Sequence, residues 1–493
     1  MKRFAFLCGA LLASHLWIGA AAAQEQPDYA KLVPRLNGNM PSVVPSYPIS
    51  ALPVSTRPMF DSFMWQNFIA AVWPALRQAP GIPILPNDAA AFRGGYRDGT
   101  VPNFLTWKTA DDLYTADGSA PPPWDKVESS SRMCSNIAAS DTRLRLGTRA
   151  KFGTFADEFN QAFAGPLVDQ TGLITRYEVR YNRAYYDYVR DNGLYNKANW
   201  PTKTPIAFPA GDARSAGAVM VKAAWRDLSS VPLQYQNRFY RTTALVPQPG
   251  SCNIATGGKA EENCTCAEIP VGLVGLHVVQ KTTNFPQFVW STFEQVDNLG
   301  EDPSTPAGMK PSYYNGAKAN PATTPGYSYQ PNETAIVAAL KAANSINGLG
   351  ANLKPVNVAR LNAIPTTPTL ATTPNVPAVQ YDTNSLNQRY RALFAGSVWR
   401  HFWLIGSQWS AAPFVGAPTP LQATYKGAPS QDFGCEDGTP AQVGGLAFPA
   451  CNVANVTMET YHQYDSCQNC HQGAQRSGAD FSWSLALRAF VKP

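Results

Sequence analysis

The sequence predicts an α+β fold: an antiparallel sheet as core, helices around it, long proline-rich loops, and a C-terminal segment packed onto the main body. Three observations point there. Apolar residues alternate with period two between Ala216 and Asp297. Outside that region, stretches such as Asp61–Trp73 and Leu386–Gln408 repeat at helical spacing. Forty-two prolines and 11% aromatic residues favour loops braced by rings over an idealised helical bundle.

Taken in order, the chain opens MKRFAFLCGALLASHLWIGAAAAQEQ. Lys2 and Arg3 form a basic start, Phe4–Leu16 is apolar but too short to span a bilayer, and Ala21-Ala22-Ala23 offers small residues for cleavage. Residues 1–23 therefore read as a signal peptide, and the expected compartment is the periplasm. No later stretch approaches the roughly 18 apolar residues of a membrane span. Residues 24–380 read as the α+β body and 381–493 as a helical C-terminal region integrated with it.

Residues 24–57 read as an extended arm. Phe60, Phe63, Met64, Phe68, Ile69 and Val72 share one side of an expected amphipathic helix over Asp61–Trp73, which Pro74 disrupts. Residues 80–150 read as mostly loop. Short helices are expected at Phe155–Phe163, Tyr177–Asn192 (closed by Gly193) and Thr334–Asn344. Four strands are expected at Ala218–Trp225, Phe239–Val246, Val271–Val279 and Phe288–Glu294. Residues 300–332 and 364–379 are rich in Pro, Thr and Asn and read as loops. Leu386–Gln408 reads as an aromatic-rich helix.

Charge excludes little but excludes something. The formal net charge is +6, of which Lys2 and Arg3 supply two, too mild a surplus to argue for nucleic acid. A redox partner protein is expected. Neither a phosphate-cradling loop nor a nucleophile elbow is present. Nine cysteines, less Cys8 in the leader, leave eight. In an oxidising compartment Cys435 and Cys451 are the easiest disulfide to draw. Cys252 would join Cys264 or Cys266, and the other of these two would reach Cys134.

The remaining two cysteines stand in Asp465-Ser466-Cys467-Gln468-Asn469-Cys470-His471. In an exported chain, Cys-x-x-Cys-His is the attachment pattern of c-type haem. Two thiols one helical turn apart can add to the two vinyl groups, and the next residue, His471, is directed back under the ring toward iron. A redox dithiol would need a βαβ context, a zinc half-site a second ligand pair, and a bare disulfide gives no reason for the histidine. Haem c, one per chain and covalent, is the reading these residues favour.

The chain resembles large bacterial exported proteins of the "cytochrome c family". The matching stretches are Phe60-Asp61-Ser62-Phe63 with Trp65-Gln66-Asn67-Phe68, Gly275-Leu276-His277-Val278-Val279, Trp290 through Asn298, Met458-Glu459-Thr460-Tyr461, Cys467 to His471, and Asp480-Phe481-Ser482. The resemblance implies a single haem and no agreed activity. The last 25 residues also resemble small hydroxylamine-oxidising cytochromes.

Only 22 residues follow His471, and none is Met or His. A sixth iron ligand would come from upstream: Met458 first, then His277, with His401 and His462 as further candidates. Haem would then pack against the body, and the Leu386–Gln408 helix is the expected neighbour. Two functions follow. One is electron transfer through a six-coordinate haem with His471 as proximal ligand. The other is a five-coordinate haem enzyme or sensor acting on nitric oxide, hydroxylamine, peroxide or oxygen, with His277 or His401 as acid or base. The first reading needs no catalysis, and the second makes the chain an enzyme or a sensor.

Overall fold

In the computed structural model the described residues are 34–44, 57–115, 117–126, 133–147, 167–248, 251, 253–254, 261–283, 285–316, 355–360, 363–364, 383–409, 442–443, 446–447, 453–460, 463 and 467–491. The leader, most of the expected arm, the helices expected at Phe155–Phe163 and Thr334–Asn344, His462, and Cys252, Cys435 and Cys451 lie outside them.

Among the described residues the first helix, α1 (Arg57–Ala71), overlaps the one expected over Asp61–Trp73 but is not amphipathic. Met64, Trp65, Phe68 and Ile69 are buried, and so are Asp61, Ser62 and Asn67, each at most 5% exposed. A helix enclosed on all sides must satisfy its polar side chains internally. Accordingly Thr383 donates to Asp61 at 2.6 Å and Asn67 donates to the Phe63 carbonyl at 3.1 Å. The helix stops at Ala71, and Pro74 opens a three-residue strand, Pro74–Leu76.

Among the described residues eight strands form the main sheet: β1 (Lys108–Thr109), β2 (Leu144–Arg145), β3 (Arg176–Tyr181), β4 (Val219–Asp227), β5 (Arg241–Pro247), β6 (Cys266–Thr282), β7 (Phe285–Gln295) and β8 (Phe402–Gln408). Their order is β8-β7-β6-β4-β3-β1, with β5 on β6 and β2 on β5. The sheet is mixed, because β2 runs parallel to β5 while the other pairings are antiparallel. The strand β6 is twice the expected length. Its first half pairs with β5 and its second half with β7, and β4 runs along residues 271–280.

Two expectations are corrected. Tyr177–Asn192 is not one helix. Tyr177, Val179 and Tyr181 alternate and pair with β4, so the segment is β3 followed by α2 (Arg183–Asp191). Asn182 separates them by capping α2, accepting from the Tyr185 amide at 3.1 Å. Gly193 does follow the helix with φ +66°. Likewise Leu386–Gln408 is a short helix, α3 (Thr383–Leu393), then a single 3-10 turn and β8. Gly396 at φ +84° turns the chain, and Phe402 to Ile405, aromatic and branched, add an edge strand to β7. The loop expected over 80–150 carries short elements, two of which (β1 and β2) join the sheet.

One sheet face packs on α1 and α3. There Trp65, Phe68, Phe293, Tyr390, Phe394 and Trp399 meet ring to ring, with Trp65 stacked on Tyr390 at 5.0 Å. The other face carries a second apolar cluster of Tyr177, Ala224, Val274, Val456 and Met458. A separate small cluster of Met133, Leu245 and buried cysteines holds the disulfide Cys134–Cys266, which joins residues 132 apart, and Cys264 is disulfide-bonded too.

Candidate functional site

The motif lies in helix α4 (Cys467–Arg476), so Cys467, Cys470 and His471 occupy positions one turn apart and adjacent. The helix sits on the second sheet face near β7. The His471 ring lies 4.1 Å from that of Trp290, centroid to centroid, and Ala474 joins the main core. The Cys467 sulfur is 3.9 Å from the Val453 carbonyl. The expected neighbour, the helix over Leu386–Gln408, is not there: α3 packs against α1 on the opposite face.

The register explains what surrounds the helix. Residues at matched positions on adjacent strands share a face. Lys222, His277 and Thr292 form one such row, and Met220, Val279 and Trp290 form the next. Leu273, four residues before His277, lies on the other face. A bulge between Leu273 and Gly275 inserts one residue, so Leu273 opposes Trp225 while Gly275 opposes Ala224.

Gly275 leaves room for the turn 453–460, because a Cβ there would run into the Thr457 hydroxyl. That turn is held by polar bonds. Asn455 donates to Thr292 at 2.7 Å and to the Phe293 carbonyl at 2.9 Å. The Val456 amide donates to buried Glu294 at 2.7 Å, and Arg360 clasps the same carboxylate at 2.7 and 3.2 Å. Tyr177 donates to the Thr457 carbonyl at 2.6 Å. Segments far apart in the chain therefore converge beside α4.

His471 is held at one nitrogen. Its Nδ1 lies 2.6 Å from the Phe481 carbonyl. A carbonyl can only accept, so Nδ1 carries the hydrogen and Nε2 keeps its lone pair. Burial pushes the imidazole down to about 4; nearby His277 and Lys222 push it the same way. The ring is therefore neutral at ordinary pH, the form that binds a metal.

The carbonyl that holds it belongs to an unusual turn. Asp480 and Phe481 are both left-handed, at φ +45° and +62°. Non-glycine residues pay to stay there, and surrounding contacts must hold them. Asp480 is buried, accepts from the Phe208 amide at 2.6 Å, and pairs with the Lys281 ammonium. Burial raises its carboxyl above the usual range, against the pull of Lys281. Ser482 then caps α5 (Trp483–Arg488) by accepting from the Leu485 amide at 3.2 Å.

Of the upstream candidates, His277 is near. Its Nε2 lies 2.8 Å from a Glu459 oxygen, and its charge is felt at His471. Burial would raise Glu459, but His277, Lys222 and the Asn455 amide together hold the carboxyl below its ordinary value. Met458, one residue away, is fully buried in the second apolar cluster. His401 sits in the turn before β8; burial and Arg238 hold it down to about 4, and its Nδ1 has no hydrogen-bond partner. Trp290, Glu459 and Phe481 lie in stretches that carry the family resemblance, but nothing in those stretches places them beside His471, and Lys281 carried no signal at all. Backbone carbonyls have none, and buried ion pairs are made only in three dimensions.

The donor set fits a covalently held haem: two cysteines at thioether spacing and a neutral, oriented imidazole with a bare Nε2. Among the described residues no three His, Cys, Asp or Glu side chains gather as a metal group, and no helix is long and apolar enough to cross a membrane. No protein-family model, curated protein or solved structure matches this chain.

Proposed function

We propose that the chain is a periplasmic c-type monohaem cytochrome that transfers electrons. The observation that carries the reading is the Nδ1 hydrogen bond of His471 to Phe481, made by the histidine of a Cys-x-x-Cys-His helix. A ligating histidine is characteristically oriented through its other nitrogen in this way. Haem, when bound, supplies a one-electron couple whose potential follows its ligands and surroundings.

The residues divide the work. The Cys467 and Cys470 thiols would tether the group. The His471 Nε2 would hold iron. Trp290 packs on the imidazole and fixes its plane. Asp480 and Lys281 keep the Phe481 carbonyl aimed at Nδ1. A redox partner protein completes the proposal.

A second reading is a five-coordinate haem enzyme or sensor for a small molecule. It is favoured by the engagement of the two upstream candidates. His277 already bonds Glu459 through Nε2, and Met458 is enclosed among apolar side chains. In that reading the His277–Glu459 pair would hold and move a proton.

Absorption spectra of the matured protein, oxidised, reduced and reduced under carbon monoxide, test both. Low-spin bands unmoved by the gas are expected for electron transfer; a high-spin spectrum that shifts would select the second reading. The Cys467→Ala, Cys470→Ala double variant should show no haem peroxidase staining on a denaturing gel. Persistent staining would sink the assignment.

A further inference from the structure

At the edge of the sheet formed by β1 and β3, away from His471, a cleft is lined by six basic side chains and three acidic ones. Three of the basic groups are matched. Arg180 pairs with Glu178 at 2.6 Å, Arg488 with Asp111 at 3.2 Å, and Arg143 with Asp141 at 2.5 Å.

The other three are not. Among the described residues Arg77, Lys108 and Arg145 have no carboxylate at ion-pair distance. Each is held only by a backbone carbonyl: Arg77 by Leu105 at 3.1 Å, Lys108 by Lys126, and Arg145 by Ala138 at 3.2 Å. Lys108 is 5% exposed, and the Nε of Arg145 is buried with no hydrogen-bond partner. Burial lowers the proton affinity of all three. Glu178, Asp112 and Asp141 act on these cations from beyond contact distance, but cations gathered in a partly desolvated cleft with no carboxylate in direct contact are costly. An anion with several oxygens would relieve the cost and occupy the free guanidinium donors.

We propose that this cleft is a binding site for a small oxyanion of the phosphate, sulfate or polycarboxylate class, held by Arg77, Lys108 and Arg145. The site is independent of the haem reading.

The test uses the full matured protein. Thermal unfolding is followed against sodium phosphate, sulfate and citrate, with sodium chloride at matched ionic strength as reference. At least one of the three should raise the midpoint saturably, and Arg77→Gln should weaken that apparent affinity at least tenfold, with the haem spectrum unchanged. Arg145→Gln should do the same; Arg77, being part-exposed, serves where the Arg145 variant folds poorly. No saturable effect beyond chloride from any of the three anions, or an unaltered response in Arg77→Gln, would overturn the proposal.

Discussion

At His471 the two ring nitrogens are given different surroundings, and the difference rests on a neighbouring ion pair. Lys281 and Asp480 are both buried, and Asp480 is also the first residue of the left-handed turn that presents the Phe481 carbonyl. Removing one partner of a buried pair strands the other, at a cost of about 3–5 kcal/mol. Asp480→Asn should therefore lower the urea midpoint. Removing both charges, with Asp480→Asn and Lys281→Met, should restore most of it. If the proposed haem is bound, its reduction potential should stay shifted in both variants, because the turn has lost its tie. A potential that recovers together with stability would deny Asp480 a positioning role. His401 makes a second residue-scale prediction. Its folded value of about 4 lies below the ordinary 6.5, so the unfolded chain binds the extra proton between those values. Its contribution is present above pH 6.5 and is lost as pH falls toward 4. Partial exposure discounts the effect to roughly 1–2 kcal/mol. His401→Leu should flatten the wild-type slope of unfolding free energy across that window; an unchanged slope would remove His401 as its source.

Elements were legible where one period ruled and failed where two met. The alternation through Ala218–Trp225 and Phe288–Glu294 reads directly as strand, and the strands Val219–Asp227 and Phe285–Gln295 stand there. Tyr177–Asn192 misleads because an alternating run flows into a helical one with only Asn182 between them. Leu386–Gln408 misleads because aromatic side chains suit helix and strand alike, and only the β7 edge decides. Gly275 is the element-scale counterpart: within a strand it marks close backbone approach, here by the 453–460 turn. Gly275→Val should push that turn away at a cost of about 1–3 kcal/mol. The measurable sign is earlier proteolysis within residues 453–460. Unaltered protection would mean the turn does not depend on the gap.

Across the whole molecule, the sheet gathers distant segments onto both faces. Helix α1 and α3 close one side; the 453–460 turn, α4 and α5 close the other. The Cys134–Cys266 bond spans 132 residues and ties the chain before β2 to the start of β6. In the chain-entropy view a loop of that length stabilises by restricting the unfolded state, and loss of such a bond costs about 2–5 kcal/mol. The Cys134→Ala, Cys266→Ala variant should unfold at correspondingly lower urea. An unmoved midpoint would show that the bond adds no net stability.

What the sequence alone determined is local and chemical. Cys467, Cys470 and His471 are adjacent in the chain, so their spacing can be read without a fold, and so can the α+β pattern of alternation and helical repeat. What surrounds His471 was decided by the tertiary structure. Trp290, Lys281 and Glu459 come from 12 to 190 residues away along the chain. Their meeting depends on sheet register, on a one-residue bulge that sets which side chains face α4, and on a turn whose carbonyl leaves no mark in the sequence. Register and burial are properties of pairing between distant strands, and no window of neighbouring residues contains them.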